Sequence, residues 1–205
     1  MEIISQGAEA IIIKEKNNVL KKRIKKSYRI QEIDERLRKT RTRRETKILK
    51  RARDLIPVPK ILDFCDKDMT IKMEFIDGLK LSEALDSLKN KYEIAELIGK
   101  QIAILHNNNI IHGDLTTSNM LLKKDKLYFI DFGLSYIDEK TEHKAVDLHL
   151  IKQALESKHY LYFEDLFKSV LKGYRNNSNN YEAIMQRLLS VESRGRYKRK
   201  KVTNT

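Results

Sequence analysis

Two short motifs constrain this chain more than anything else in it. His112-Gly113-Asp114-Leu115-Thr116-Thr117-Ser118-Asn119 comes first, and Asp131-Phe132-Gly133 follows after one hairpin's length of chain. An Asp, four residues, an Asn, a hairpin and a second Asp bring two carboxylates and an amide to one end of a small sheet. That spacing suits phosphoryl transfer. One carboxylate takes the proton of an attacking hydroxyl, while the amide oxygen and the other carboxylate hold magnesium on the phosphates. Magnesium wants hard oxygen ligands and commonly takes only one or two carboxylates beside phosphate oxygens. Asp114 is therefore the candidate base, and Asn119 and Asp131 are the candidate metal ligands. Gly133 is expected to let the chain turn sharply after Asp131, with Phe132 packed beneath as core. His112 is expected to hydrogen-bond the Asp131 backbone. The other histidines (His106, His143, His149 and His159) are assigned structural or surface roles.

The chain around these motifs divides into two parts. Residues 1–80 carry β-branched runs: Glu9–Lys14, a turn at Asn17-Asn18, Val19–Ile24, Lys60–Phe64 and Met69–Phe75. Between them lies a charged helix over 31–53, with Ile33, Leu37, Ile48 and Leu49 as its apolar contacts, ended by Pro57-Val58-Pro59. Residues 81–193 are mainly helical. Ile94, Leu97, Ile98, Ile102 and Leu105 recur at helical spacing, predicting a core helix over 92–106. Met120–Leu122 and Leu127–Ile130 form the hairpin between the motifs, and helices are predicted at about 142–156, 163–174 and 180–192. A basic tail, 194–205, is expected to be mobile without a partner.

Phosphoryl transfer also needs a cation on the phosphates. Val19 and Lys21 lie two apart and share one strand face. Val19 would then cover a base while Lys21 reaches the phosphates, the geometry of a Val-Ala-Ile-Lys pattern. Lys22 points the other way. Glu45 is the only acid between Arg36 and Arg53, which makes it the candidate partner of Lys21. Ser5–Ala10, with its single Gly7, occupies the place of a phosphate-covering loop whose amides can meet an anion. Met73 to Gly78 fits the strand and hinge of a nucleotide pocket, with Met73 lining it and the backbone of Glu74 and Ile76 meeting adenine.

The charge is uneven. Of a net +13 at neutral pH, residues 21–53 hold 16 Lys and Arg against 4 Asp and Glu, and residues 194–201 hold 6 basic residues and no acid. The remainder is mildly acidic. Two dense basic blocks on an acidic body argue for a polyanionic partner, with RNA favoured over a membrane surface. No stretch is apolar enough for a membrane span, the first residues lack a signal peptide's pattern, and Cys65 is the sole cysteine; a cytosolic location is expected.

Taken together, these residues resemble the kinase superfamily and, in detail, the small atypical serine/threonine kinases of the KEOPS tRNA-modification complex (the PRPK family). The resemblance rests on four stretches: Gly113 within 112–119, Lys26-Ser27-Tyr28-Arg29, Arg41-Thr42-Arg43-Arg44-Glu45, and the Arg-Gly-Arg-Tyr-Lys-Arg-Lys run at 194–200. It covers almost the whole chain. It implies an α+β, two-lobed fold with a shortened helical lobe, and an ATP- and Mg2+-dependent kinase or ATPase needed for threonylcarbamoyladenosine on tRNA. It also implies binding to the complex's threonylcarbamoyl-transferase ATPase subunit and, through the N-lobe, to a small adaptor. After Gly133 no Ala-Pro-Glu follows before helix resumes, so an extended peptide-docking platform is missing. Asp147 looks like the acid that ties the catalytic loop's backbone in place. Arg41, Arg43, Arg44, Arg194, Arg196, Lys198, Arg199 and Lys200 are the candidate contacts for tRNA phosphates or the partner's cleft. Three alternatives compete. A RIO-type ribosome-assembly kinase would bring an N-terminal domain ahead of the strands. A small-molecule kinase would need a larger helical lobe. A non-catalytic RNA-binding scaffold would have no use for Lys21, Glu45, Asp114, Asn119 and Asp131 together.

Overall fold

The computed structural model describes the backbone of residues 2–7 and 9–202, and the side chains of these up to residue 194. The first part is a five-stranded antiparallel sheet crossed by one long helix. Strands β1 (Glu2–Gln6), β2 (Ala10–Glu15), β3 (Asn18–Arg23), β4 (Ile61–Cys65) and β5 (Thr70–Glu74) stand in the order β1-β2-β3-β5-β4. The β2–β3 register pairs Ile12 with Lys21, and the β3–β5 register pairs Lys21 with Ile71. Strand β1 is absent from the sequence reading: its five residues are all exposed on a sheet edge, so no alternation marks them.

Helix α1 (Gln31–Ala52) leaves the sheet after β3. Its C-terminal half anchors through Ile48, Leu49 and Ala52, which are all buried. Its N-terminal half does not follow the expected apolar pattern. Ile33 is exposed and Leu37 half-buried, while Asp34 is fully buried and takes Arg38 Nε at 2.6 Å and the Lys26 N–H at 3.3 Å. The inward face of this half is thus an ion-pair face, with Asp34 taken up by Arg38 of the same helix and approached by Arg29 of the preceding segment.

The second part starts with β6 (Leu79–Lys80) and α2 (Leu81–Ala84), and centres on α3 (Lys91–Asn107). Strand β7 (Ile110–Ile111) leads into the first motif, and β8 (Met120–Lys123) and β9 (Lys126–Phe129) form the hairpin. Strand β10 (Tyr136–Ile137) pairs back on β7, and helices α4 (Thr141–Lys158), α5 (Phe163–Arg175) and α6 (Tyr181–Val202) complete the chain. Ile98, Ile102, Phe129, Phe132, Ile151 and Val170 belong to one buried cluster that also takes in Ile48 and Leu49 of α1, so both parts share a core. The backbone passes the expected boundary at 193–194 inside α6, and the side chains of Arg196, Lys198, Arg199 and Lys200 lie outside the described residues. No helix among the described residues is long and apolar enough to cross a membrane.

Helices α3 and α5 touch backbone to backbone at two glycines. A Cβ on Gly99 would lie 1.8 Å from the Val170 carbonyl oxygen, and one on Gly173 1.9 Å from that of Glu96. Gly173→Ala should therefore force the helices apart and destabilise the protein by about 1–3 kcal/mol or more. Gly7→Ala, whose added methyl meets only the Ala10 carbonyl oxygen at 3.8 Å, should leave stability unchanged. Urea denaturation of the two variants checks this; equal midpoints would contradict the close approach.

Candidate active site

The inward face of β3 carries Val19, Lys21 and Arg23, all buried, while Lys22 faces solvent. Lys21 Nζ stands 2.7 Å from Glu45 Oε1 of α1 and 2.7 Å from Asp131 Oδ1. The other Glu45 oxygen takes Arg23 Nη2. Arg23 is absent from the sequence reading, although the two-residue alternation that selects Val19 and Lys21 selects it as well. Charges this deeply buried are tolerable only because each meets an opposite one. Burial works against the charge on Lys21, but Glu45 and Asp131 outweigh it and raise the ammonium above the usual lysine range. Burial likewise pushes the Asp131 carboxyl up, yet Lys21 and the Gly133 N–H hold it below the usual carboxylate range. Both of those bonds fall on Oδ1, and 48% of the Asp131 side chain stays exposed to the cleft.

The turn after the hairpin differs from expectation. Asp131 itself adopts the left-handed conformation, at φ 61°. Gly133 serves by its N–H and its missing side chain: an added Cβ would lie 3.0 Å from Asp131 Oδ1 and 3.3 Å from Arg23 Nη2. Aspartate enters the left-handed region more readily than most residues, and here its carboxylate accepts the N–H two residues on. Phe132 is fully buried.

Asp147 of α4 organises the first motif. Its Oδ2 accepts the His112 N–H at 2.7 Å and its Oδ1 the Gly113 N–H at 2.9 Å. Gly113 stands at φ 79°, where a Cβ would strike the Leu134 carbonyl oxygen at 2.7 Å. Behind Asp147, His106 Nε2 lies 3.3 Å from Oδ2, and His106 Nδ1 meets the Tyr174 hydroxyl at 2.8 Å. Ser135 Oγ donates to the His112 carbonyl at 2.7 Å. His159 is buried between Asp86 Oδ1 (2.6 Å) and Thr117 Oγ1 (3.1 Å), bracing the loop from outside. The His112 ring meets the Ile130 carbonyl through Nε2 at 3.2 Å, one residue short of the expected Asp131 backbone, because the left-handed turn carries Asp131 towards the cleft. Its Nδ1 accepts the Asp114 N–H at 3.3 Å. An imidazole that donates at one nitrogen and accepts at the other is neutral, and burial lowers its pKa accordingly.

Asn119 Nδ2 donates to both the carbonyl and Oδ2 of Asp114, each at 2.9 Å. An amide oriented by its hydrogens presents its oxygen the other way. Asn119 and Asp131 line one cavity of about 390 Å³, whose walls include Val19, Met73, Ile76 and Ile130. The Glu74 N–H is spent on the Lys60 carbonyl at 2.8 Å, so any contact of Glu74 with a base must use its carbonyl. Hard oxygens from one ionised carboxylate and one amide fit a magnesium ion that takes its other ligands from phosphate and water. No group of three His, Cys, Asp or Glu stands at metal-binding distance among the described residues.

A second chamber of about 250 Å³ adjoins the first, between Gly7, Glu9, Lys21, Arg41, Asp114 and Asp131. Arg41 lies here, its Nη1 2.6 Å from Glu9 Oε2, and not on an outer face as expected of a nucleic-acid contact. Arg43 pairs with Asp66 and Arg194 with Glu142 (2.9 Å), both on the surface, where such pairs exchange easily. Arg44 is exposed.

Residues 10–149 match the RIO domain. Over 214 aligned positions the chain is 45% identical to the KEOPS complex subunit Bud32 of Pyrococcus abyssi, with 97% of each chain covered. It is 39% identical over 202 residues to a probable bifunctional tRNA threonylcarbamoyladenosine biosynthesis protein of Methanosarcina mazei, covering 96% of this chain but 36% of that protein. The solved Rio2 kinase–ADP/Mg2+–phosphoaspartate complex of Chaetomium thermophilum matches it with a TM-score of 0.63. That match covers 97% of this chain and 72% of the other at 17% identity, a likeness of fold.

The neutral His112 makes a pH prediction. Its pKa is lowered on folding, so below the ordinary value of 6.5 the unfolded chain takes up the proton first. The stability it confers is complete above pH 6.5 and lost as pH falls. His112→Gln, which can still donate and accept, should flatten the decline between pH 6.5 and about 5, above the range where carboxylates protonate. Urea midpoints at several pH values measure this, and parallel curves for the two proteins would contradict it.

Proposed function

Because the chain belongs to the RIO-domain family, with its protein-kinase-like fold, and to the family of the KEOPS subunit Bud32, we propose that it turns over ATP with magnesium in threonylcarbamoyladenosine formation on tRNA. The observation that carries the reading is the Lys21 bridge between Glu45 and Asp131, set opposite Asp114 and Asn119. In this reading Lys21 holds the phosphates and Val19, Met73 and Ile76 enclose the base. Asp114 accepts the proton of the acceptor hydroxyl, with its carboxylate oriented by Asn119. Asn119 and Asp131 hold magnesium, which when bound neutralises charge on the phosphate oxygens. Asp147 and His112 keep the loop rigid, so that little reorganisation accompanies the reaction.

The acceptor is a protein serine or threonine hydroxyl, or water. The short run of 134–140 between Gly133 and α4 offers no platform for an extended peptide, which favours water or an acceptor delivered by a partner. Residues 1–80 would act as the N-lobe, 81–193 as the C-lobe and 194–205 as a basic tail, in the cytoplasm. The names of the relatives support membership of the KEOPS complex. There the threonylcarbamoyl-transferase ATPase subunit and a small N-lobe adaptor are the proposed partners. Exposed Arg43, Arg44 and Arg194, with the basic residues after it, are the proposed contacts for tRNA. A ribosome-assembly role in the manner of Rio2 has weaker support, since that likeness is of fold alone.

ATP turnover, measured with and without the partner transferase and tRNA, tests the proposal. Asp114→Ala and Asp131→Ala should each lower turnover by about 100-fold or more with the fold intact by circular dichroism. Lys21→Ala should raise KM for ATP far more than Lys22→Ala, and it should stay folded because Glu45 keeps Arg23. Unchanged turnover in Asp131→Ala would remove the kinase-type chemistry. Affinity for tRNA should drop steeply between about 50 and 200 mM salt if phosphate contacts dominate, and a flat salt response would exclude them.

A further inference from the structure

The basic residues around the second chamber are not equally committed. Lys21 is fixed between two carboxylates, and Arg23 is buried against Glu45. Arg29 holds Glu9 Oε1 through Nη2 at 3.1 Å and approaches Asp34 Oδ1 through Nη1 at 3.7 Å. Arg41 has one carboxylate partner, Glu9, which Arg29 also holds. Arg41 can therefore leave without stranding an acid, since Glu9 keeps Arg29. A partly exposed pair of this kind is also weak and exchangeable.

We propose that Arg41 is a further catalytic residue, which exchanges Glu9 for the phosphoryl group in transfer. This inference rests on the ATP-turnover reading of the site. In the transfer, a bond forms from the acceptor oxygen to the terminal phosphorus. The bond from that phosphorus to the bridging oxygen breaks, and its electron pair leaves with ADP. The acceptor's proton passes to Asp114. Lys21, Asn119 and Asp131 line the nucleotide cavity, with Lys21 and Asp131 at its junction with the second chamber. On the acceptor side stands Asp114, whose own charge repels the phosphoryl oxygens. Arg41 lines the same chamber as Asp114 and Gly7; Lys21 and Arg23 line it too but are held by Glu45 and Asp131, so Arg41 is the cation there that can turn to this side. A guanidinium fork matches two phosphoryl oxygens at once, which a lysine ammonium does not. The sequence reading grouped Arg41 with Arg43 and Arg44; the structure separates it from them.

The test is steady-state ATP turnover by the full chain with magnesium, together with binding of ADP alone and of ADP with aluminium fluoride, a mimic of the transferring group. Arg41→Ala should lower kcat by about 100-fold or more. KM for ATP and ADP affinity should stay within about threefold, while the gain in affinity from aluminium fluoride disappears. Arg41→Gln, which keeps a hydrogen bond to Glu9 without the charge, should behave alike and covers the case in which the alanine variant misfolds. Glu9→Gln frees Arg41 and should keep or raise kcat. Equal losses in Glu9→Gln and Arg41→Ala would mean that the pair is only a strap for the β1–β2 loop, and would overturn the proposal. Unchanged kcat in Arg41→Ala or Arg41→Gln would overturn it too. Wild-type turnover that survives Asp131→Ala would instead remove the underlying reading, so the two failures are distinguishable.

Discussion

A single buried ammonium sets the geometry of the cleft. Lys21 comes from β3, Glu45 from α1 and Asp131 from the turn after β9, and the two 2.7 Å contacts bring three separate elements to one point. Each of these charges would be costly to bury alone. The sheet, the helix and the turn must therefore arrive together, and a displacement of α1 would strand Arg23 and leave Lys21 with Asp131 alone. Helix α1 is in turn fixed at its far end, where Ile48, Leu49 and Ala52 enter the core of the second part. The hydrophobic core thus sets where Glu45 stands, and Glu45 sets where Lys21 points.

The opposite wall depends on a second buried acid by a different route. Asp147 fixes the backbone of His112 and Gly113 by accepting two N–H groups, and His106 ties that carboxylate to Tyr174 of α5. Burial pushes the Tyr174 hydroxyl well above the usual tyrosine range, so it stays a neutral hydrogen-bonding partner. Tyr174 follows Gly173, the residue whose missing side chain lets α5 lie against α3. Helix packing far from the cleft is in this way transmitted to the loop that carries Asp114. Substitutions at Gly173 therefore bear on loop position as well as on stability.

Much of this was legible in the sequence, and what was not has a common cause. The hairpin, the core helix α3 and the later helices follow from apolar periodicity, and the Lys21–Glu45 pairing followed from Glu45 being the one acid in a basic stretch. Strand β1 escaped because all five of its residues are exposed at an edge. Apolar spacing predicts Ile33 as a core contact because it assumes an apolar neighbour, whereas this end of α1 turns Asp34 inward to Arg38 and Arg29. The inward roles of Arg23 and Arg41 leave little mark because a dense run of Lys and Arg looks like one solvated face. Asp34, Arg38, Arg41 and Glu45 in fact recur at spacings of four, three and four, one face of a helix by the rule applied to hydrophobes elsewhere. The left-handed turn at Asp131 left no such trace, since glycine two residues on was the more obvious bearer of it.

The basic block at 21–53 is therefore two features with different physics. Its inward cations, Lys21, Arg23, Arg29, Arg38 and Arg41, each meet a carboxylate of the fold. The outward ones, such as Arg44, Lys47 and Lys50, are exposed, or paired only at the surface as Arg43 is with Asp66. Only the outward set can contribute counterion release to a polyanion, so the charge count overstates any such surface. The inward set has the opposite property. Each of its charges is already paired with a carboxylate, so an anion entering the chamber must displace that carboxylate, bring a cation, or take a side chain whose acid keeps another partner. In the proposed reading, polyphosphate with magnesium would meet the second condition at Asp131, and Arg41 would meet the third at Glu9. On that reading, selectivity for a metal-bound polyphosphate over a simple anion would follow from these pairings and not from free positive charge in the cleft.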